Sequence, residues 1–147
     1  MAYGFTGSRE NWEDLEAPLR VIDPVLSSFA RENDLVLSKS DSNWPQRSLS
    51  WHEGFGREVS LFPTSHRKAI YSLRVVASFD RGGKRYWKSA EIEHELPANE
   101  LPNRIEGLLK DAFEICSSWT IEDLQENYRI GKAGCLSAVG EFFKKLF

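Results

Sequence analysis

The sequence predicts an α+β domain, a two-layer sandwich in which an antiparallel meander of about five strands carries N- and C-terminal helices on one face. Three observations predict it. Apolar residues recur at helical spacing early in the chain, alternate strictly through its middle third, and return to helical spacing after Pro97. A diglycine, Gly82-Gly83, lies where two alternating runs reverse. The connections between the alternating runs are short, as a meander requires.

The chain has 147 residues, which fits one domain over 1–147, with N-terminal helices (1–34), an antiparallel sheet (35–96) and C-terminal helices (98–147). A domain of this size buries about 70% of the surface its unfolded chain exposes. The composition, 41% hydrophobic and 28% charged, is that of a globular chain and not of a disordered one. A formal net charge of −3 argues against a nucleic-acid binder, which usually carries a basic excess. No apolar run approaches the roughly 18 residues of a membrane helix. The start, Met1-Ala2-Tyr3-Gly4-Phe5, lacks the basic and apolar regions of a signal peptide. Cys116 and Cys135 make no disulfide framework, so a reducing, cytoplasmic setting is expected.

In the first segment Trp12, Leu15, Leu19, Ile22, Leu26 and Phe29 draw one apolar stripe. Asn11 is a candidate N-cap, with Glu13 and Asp14 favourable in the first turn. Pro18 and Pro24 interrupt the pattern, because proline inside a helix removes a hydrogen bond and clashes with the turn before it. The expectation is therefore two helices, the second entering at Asp23 as cap and Pro24 as first helical residue, and ending near Asn33.

Leu35 and Leu37 begin a short strand, and 41–46 with Trp44-Pro45 form a loop. Leu49 and Trp51, then Val59 and Leu61, flank Gly54-Phe55-Gly56. A three-residue loop with Gly56 left-handed would oppose Glu53 to Arg57, Trp51 to Val59 and Leu49 to Leu61. The next hairpin turns at Gly82-Gly83. It opposes Phe79 to Tyr86, Val75 to Ala90, Leu73 to Ile92 and Ala69 to Leu96 on one face, with Asp80–Arg85 and Arg74–Glu91 on the other. A slip of one residue would split these apolar pairs between faces, so turn chemistry and pattern agree.

After Pro97, the residues Leu101, Ile105, Leu108, Leu109, Ala112, Phe113, Cys116 and Trp119 mark a helix beginning at Ala98 or Asn99. Thr120 with Glu122 and Asp123 opens a short further helix carrying Ile121 and Leu124. Gly131 and Gly134 bracket a break. Leu136, Val139, Phe143 and Leu146 make a last amphipathic stretch, expected to dock on this domain or on a second copy in preference to a membrane surface.

No catalytic, metal or cofactor motif is present. His52, His66 and His94 belong to no HExxH-like spacing. Glu91, Glu93 and Glu95 surround His94 in sequence, but a strand puts the three glutamates on one face and His94 on the other. In the register above His94 opposes Tyr71. With Trp51 these two would line a sheet–helix pocket, where a Tyr–His pair can do acid–base work; the plainer reading is a satisfied polar contact. Cys116 lies on a buried stripe and reads as a core residue, not a nucleophile.

The second hairpin is the most suggestive surface. Arg81, Lys84, Arg85 and Lys88 cluster with Tyr86 and Trp87 at its tip, and Arg74, Glu91 and Glu93 continue the strip. Basic residues among aromatics grip phosphate backbones or receive an acidic protein; the plainer reading is a solvated turn that resists edge pairing. Ile70, Val76 and Trp87 face away from the helices, and an apolar strip with a charged rim marks an interaction surface. A non-enzymatic protein-binding module of adaptor, chaperone-like or toxin-neutralising type is expected, its partner another protein or a second copy. The alternatives are a small-molecule site or cryptic enzyme in the sheet–helix pocket, and nucleic-acid binding through the hairpin tip.

Overall fold

The computed structural model describes residues 9–39, 44–65 and 68–126. Helix α1 spans Arg9–Asn33. Strands β1 (Val36–Lys39), β2 (Arg47–Glu53), β3 (Phe55–Pro63), β4 (Ile70–Arg81) and β5 (Lys84–Pro97) follow. They form one antiparallel sheet in the order β1-β2-β3-β4-β5. A 3-10 turn, Ala98–Glu100, leads into helix α2, Leu101–Ser117. A further helix, α3, is described over residues 121–126. Both long helices pack on the same face of the sheet, so the predicted two-layer α+β sandwich is the observed one. The predicted break around 131–134 and the last amphipathic stretch lie outside the described residues.

The expected division of the first segment into two helices is corrected. One helix runs through both Pro18 and Pro24, and Asn11 and Asp23 lie within it instead of capping it. Proline costs a helix about 3 kcal/mol by losing a hydrogen bond and crowding the preceding turn. Continuous burial of the stripe opposes that cost. Leu15, Leu19, Ile22 and Leu26 are all at most 2% exposed, and burying a leucine or isoleucine side chain is worth about 1.5–3 kcal/mol. Pro24 is on the exposed side, where water can take the freed carbonyl. The helix ends as expected at Asn33. Asp34 is left-handed (φ 60°), and Leu35 N–H bonds back to Ala30 C=O at 2.8 Å, a Schellman ending.

A second reason for one helix is Arg47, at the start of β2. Its side chain is 1% exposed, yet all five of its N–H groups find acceptors. Nη1 and Nη2 grip the two Glu16 carboxylate oxygens at 3.1 and 2.6 Å, and Nε and Nη2 donate to Asp23 at 2.7 and 3.1 Å. The remaining Nη1 proton goes to Gln46 C=O at 2.9 Å. Glu16 and Asp23 are two turns apart, so only an unbroken helix places them on either side of one guanidinium. These partners hold its pKa above the ordinary arginine value although burial alone works the other way.

In the first hairpin the turn is at Gly54 (φ 79°), not Gly56. Leu49 therefore opposes Val59 and Trp51 opposes Arg57, which corrects the expected register by two residues. The parity is unchanged, so Leu49, Trp51, Val59 and Leu61 keep the core face. Arg57 shares it. Its guanidinium donates to Glu53 C=O at 2.9 and 3.0 Å and to Cys116 C=O at the end of α2, and lies 4.1 Å from the Phe55 ring centre. A cation among the last carbonyls of a helix is favourably placed.

The second hairpin forms as predicted near its turn. Gly82 and Gly83 are left-handed (φ 60° and 76°), and Phe79 stacks on Tyr86 with ring centres 5.1 Å apart. Asp80 opposes Arg85, Val75 opposes Ala90 and Arg74 opposes Glu91. Beyond Glu91 two irregularities in β5 change the pairing: Leu73 opposes Glu93 and Tyr71 opposes Leu96. The expected pairs Leu73–Ile92, Ala69–Leu96 and Tyr71–His94 are thus corrected. The physical gain is clear. A strand without bulges would turn His94 into the core, whereas the bulged strand buries Leu96 (0% exposed) there instead.

The core lies between the layers. Leu73, Val75 and Ala77 from the sheet meet Ile105, Leu109, Ala112 and Cys116 from α2. Phe29 and Phe113 join the helices edge to face at 5.8 Å, and Trp51 lies 4.9 Å from Phe113. Trp119 and Leu124 extend the core beyond α2, and α3 opens on a reciprocal cap: Asp123 accepts from Thr120 N–H at 2.9 Å, Thr120 from Asp123 N–H at 3.2 Å.

Replacing Arg47 by Met strands the buried Glu16 and half-buried Asp23 carboxylates, and the unfolding free energy in urea is expected to fall by about 3–5 kcal/mol. Pro24→Ala is expected to raise it by about 1–3 kcal/mol in the same measurement, because the helix is already continuous there.

Candidate functional site

Alternation along the strands that fills the core also builds the opposite face. Facing away from the helices are Phe62 on β3, Ile70, Ser72, Arg74 and Val76 on β4, and Trp87 and Glu91 on β5. Their register brings them together: Ser78 opposes Trp87, Val76 opposes Ser89, Arg74 opposes Glu91 and Phe62 opposes Ser72. The other outer positions are largely serine, including Ser48, Ser50, Ser60, Ser78 and Ser89. Trp87 is 40% exposed, and at the far edge Val36 is 63% exposed. The Arg74 guanidinium sits 5.3 Å from the Phe62 ring centre. Ser72 donates to Glu91 at 2.5 Å.

At the end of this face remote from the diglycine turn, an open groove of about 640 Å³ is lined by Trp44, Phe62, Ile70, Arg74, Glu91 and His94, among others. The Trp44-Pro45 loop supplies one wall. Between α1 and α2 a second groove, of about 710 Å³, runs beside Phe29, Lys110, Phe113 and Ser117.

The predicted binding strip divides between the two faces. Arg74, Arg85, Trp87 and Glu91 stand on the outer face, where Arg85 pairs with Asp80 at 3.1 Å. Arg81, Lys84 and Lys88 have the opposite parity. Arg81 lies over the Phe79 ring at 5.2 Å, and Lys88 over the Trp119 ring at 5.2 Å. Lys88 also lies near Asp123, whose carboxyl is held below its ordinary value, chiefly by the Thr120 backbone N–H. Glu93 is turned by the bulge toward α2 and accepts from Arg104 at 2.5 Å; that bond, first of all, lowers its pKa.

The three residues expected to line a pocket are not brought together. Tyr71 is fully buried and donates its hydroxyl to Leu15 C=O at 2.6 Å; burial, with Glu16 nearby, raises its pKa. His94 is exposed, beside Glu95 at 3.6 Å, and lines the outer groove. Trp51 packs on Phe113, its indole N–H buried without a partner among the described residues.

Comparison with protein-family models, curated proteins and solved structures gave no match to the chain. Function is therefore argued from the chain's own chemistry. Among the described residues no three His, Cys, Asp or Glu side chains converge on a common point. Cys116 is fully buried, and burial pushes its thiol up to about 11, far from the thiolate a nucleophile needs. Among the described residues no helix is long and apolar enough to cross a membrane. His66 and Cys135 lie outside the described residues.

Sequence reasoning missed Arg47, Glu16, Asp23 and the burial of Arg57. A signal for the arginines was present: 47 and 57 share the parity of Leu49, Trp51, Val59 and Leu61, so the pattern already placed them on the core face.

In a Cys135→Ser variant, Cys116 is expected to resist a thiol-reactive disulfide at neutral pH and to react stoichiometrically once the chain is unfolded in guanidinium.

Proposed function

We propose that this chain is a non-enzymatic protein-binding module, of adaptor, chaperone-like or toxin-neutralising type, and that its partner docks on the outer face of β3, β4 and β5. One observation carries the reading: a large aromatic, Trp87, stands half in solvent on the serine-rich outer face of β5, opposite Ser78 and two residues along the strand from Arg85, with the Arg74–Glu91 pair farther along the same face. Tryptophan and arginine are the side chains most often found at the energetic centres of interfaces. Small serines around them leave room for partner side chains and offer hydrogen bonds at the rim.

The ionisable groups support the same reading. Arg47, Glu16 and Asp23 satisfy one another, Tyr71 is spent on a backbone carbonyl, and the Cys116 thiol is buried. His94 and Tyr71 point to different faces, which favours binding over acid–base chemistry by that pair. The basic residues of the hairpin tip divide between two faces, which favours a protein over a nucleic-acid backbone, since tracking a phosphate chain needs them along one groove.

Co-purification of the wild-type chain with its partner, compared with Trp87→Ala, tests the proposal. The variant is expected to keep its thermal midpoint and to bind at least about tenfold more weakly, as truncation of a central interface aromatic does. Equal binding by variant and wild type would place the interface elsewhere; a wild-type chain that holds no protein partner would refute the reading.

A further inference from the structure

We infer that the groove between α1 and α2 is the docking site of this chain's own C-terminal stretch, residues 136–147, laid into it as an amphipathic helix. Between the two helices, hollows of about 330 and 710 Å³ share Phe29, Glu32 and Lys110 and make one trough. It follows α2 from Glu106 to Ser118, about 18 Å at helical rise. Its lining includes Val25 and Phe113, which are only half-buried. A helix laid along such a seam buries apolar surface on both sides of the contact.

Pattern, reach and charge select the occupant. Leu136, Val139, Phe143 and Leu146 are spaced by 3, 4 and 3, the narrow apolar seam that fits between two helices. As a helix they span about 15 Å, close to the length of the trough. Trp119 and Leu124 are buried in the core, which anchors the chain next to Ser117 and Ser118, at one end of the trough. Residues 127–135 then cover up to about 30 Å, and Gly131 and Gly134 permit the reversal that brings Leu136 to the same end. The stretch thus runs antiparallel to α2.

The trough is lined by Glu32, Glu106 and Glu114, with Lys110 among them. Residues 127–147 carry Arg129, Lys132, Lys144 and Lys145 against Glu141. In the antiparallel direction Glu141 comes near Lys110, and Lys144 and Lys145 come toward Glu106. At the entry end the Ser117 hydroxyl is buried without a hydrogen-bond partner among the described residues, and an incoming segment can satisfy it. This docking uses the helical layer and goes beyond the outer-face reading, so either can fail alone.

Nuclear magnetic resonance of the full chain tests the inference. A nitroxide is attached through Phe147→Cys in the Cys135→Ser background, Cys116 being fully buried. It is expected to broaden the backbone amides of Val25, Glu106 and Lys110 and to leave those of Trp87 and Ser89 sharp. Phe143→Asp in the same labelled chain is expected to abolish that broadening, with the amide signals of β3 and β4 unshifted. Hydrogen exchange of the amides of 136–147 is expected to quicken about threefold in Lys144→Glu/Lys145→Glu and in Glu32→Lys/Glu106→Lys, and to return to the wild-type rate when all four changes are combined. Broadening confined to the outer sheet face, or absent throughout, overturns the inference. So does broadening in an unlabelled copy mixed with the labelled chain, which would place the stretch on a second copy, or exchange that neither charge variant alters.

Discussion

The Arg47 guanidinium is the point through which the two layers are held in one arrangement. Moving a charge into a protein interior costs several kcal/mol, and that cost is offset only when every donor is met. Here five N–H groups meet Glu16, Asp23 and a backbone carbonyl, with Lys39 near Asp23 at 3.4 Å and Arg20 near Glu16 at 3.7 Å on the solvent side. An apolar stripe can slide or rotate against a sheet at small cost. A bidentate pair on one side and a second carboxylate two turns away cannot. The cluster thereby fixes the rotation and height of α1 over β2, and makes the helix run through both of its prolines. Tyr71, donating to Leu15 C=O beside Glu16, ties the centre of the sheet to the same turn of α1.

A parallel arrangement secures the other helix. Arg57, from the neighbouring strand, reaches the last carbonyls of α2 while stacking on Phe55. Both arginines sit on core-facing positions, one against each helix, so each joint between layers combines packing with a satisfied charge. As buried ionisable residues, these groups resemble an active site. Their saturation argues for structure, because a catalytic group must keep a lone pair or a proton for its substrate.

The chemistry on the core side is committed to holding the layers together; among the described residues, the serine-rich face bearing Trp87 and the groove beside His94 stand on the outside. The bulges after Glu91 connect the two sides. They bring Leu96 opposite Tyr71, turn His94 outward, and deliver Glu93 to Arg104 on α2. One local irregularity thus sets both the core's margin and the groove's wall.

Elements whose specification is local were legible in the sequence. The diglycine needs a left-handed backbone at both positions, and alternation on either side left one register that kept Phe79 beside Tyr86. The period change at Pro97, the stripe of α2 and the Thr120–Asp123 cap were readable for the same reason. What the sequence could not settle were choices between competing local costs. A proline in α1 reads as a break until the energy of burying Leu19, Ile22 and Leu26 and of saturating Arg47 is set against it. Gly54 and Gly56 offer two turns of equal parity, and only pairing across the whole hairpin selects one. Nothing local marks the bulges in β5, because they follow from the cost of burying His94 opposite Tyr71, a place that Leu96 fills instead. Tertiary structure decided these points because each rests on contacts between residues distant in the chain, whose energies exceed the local preferences they override.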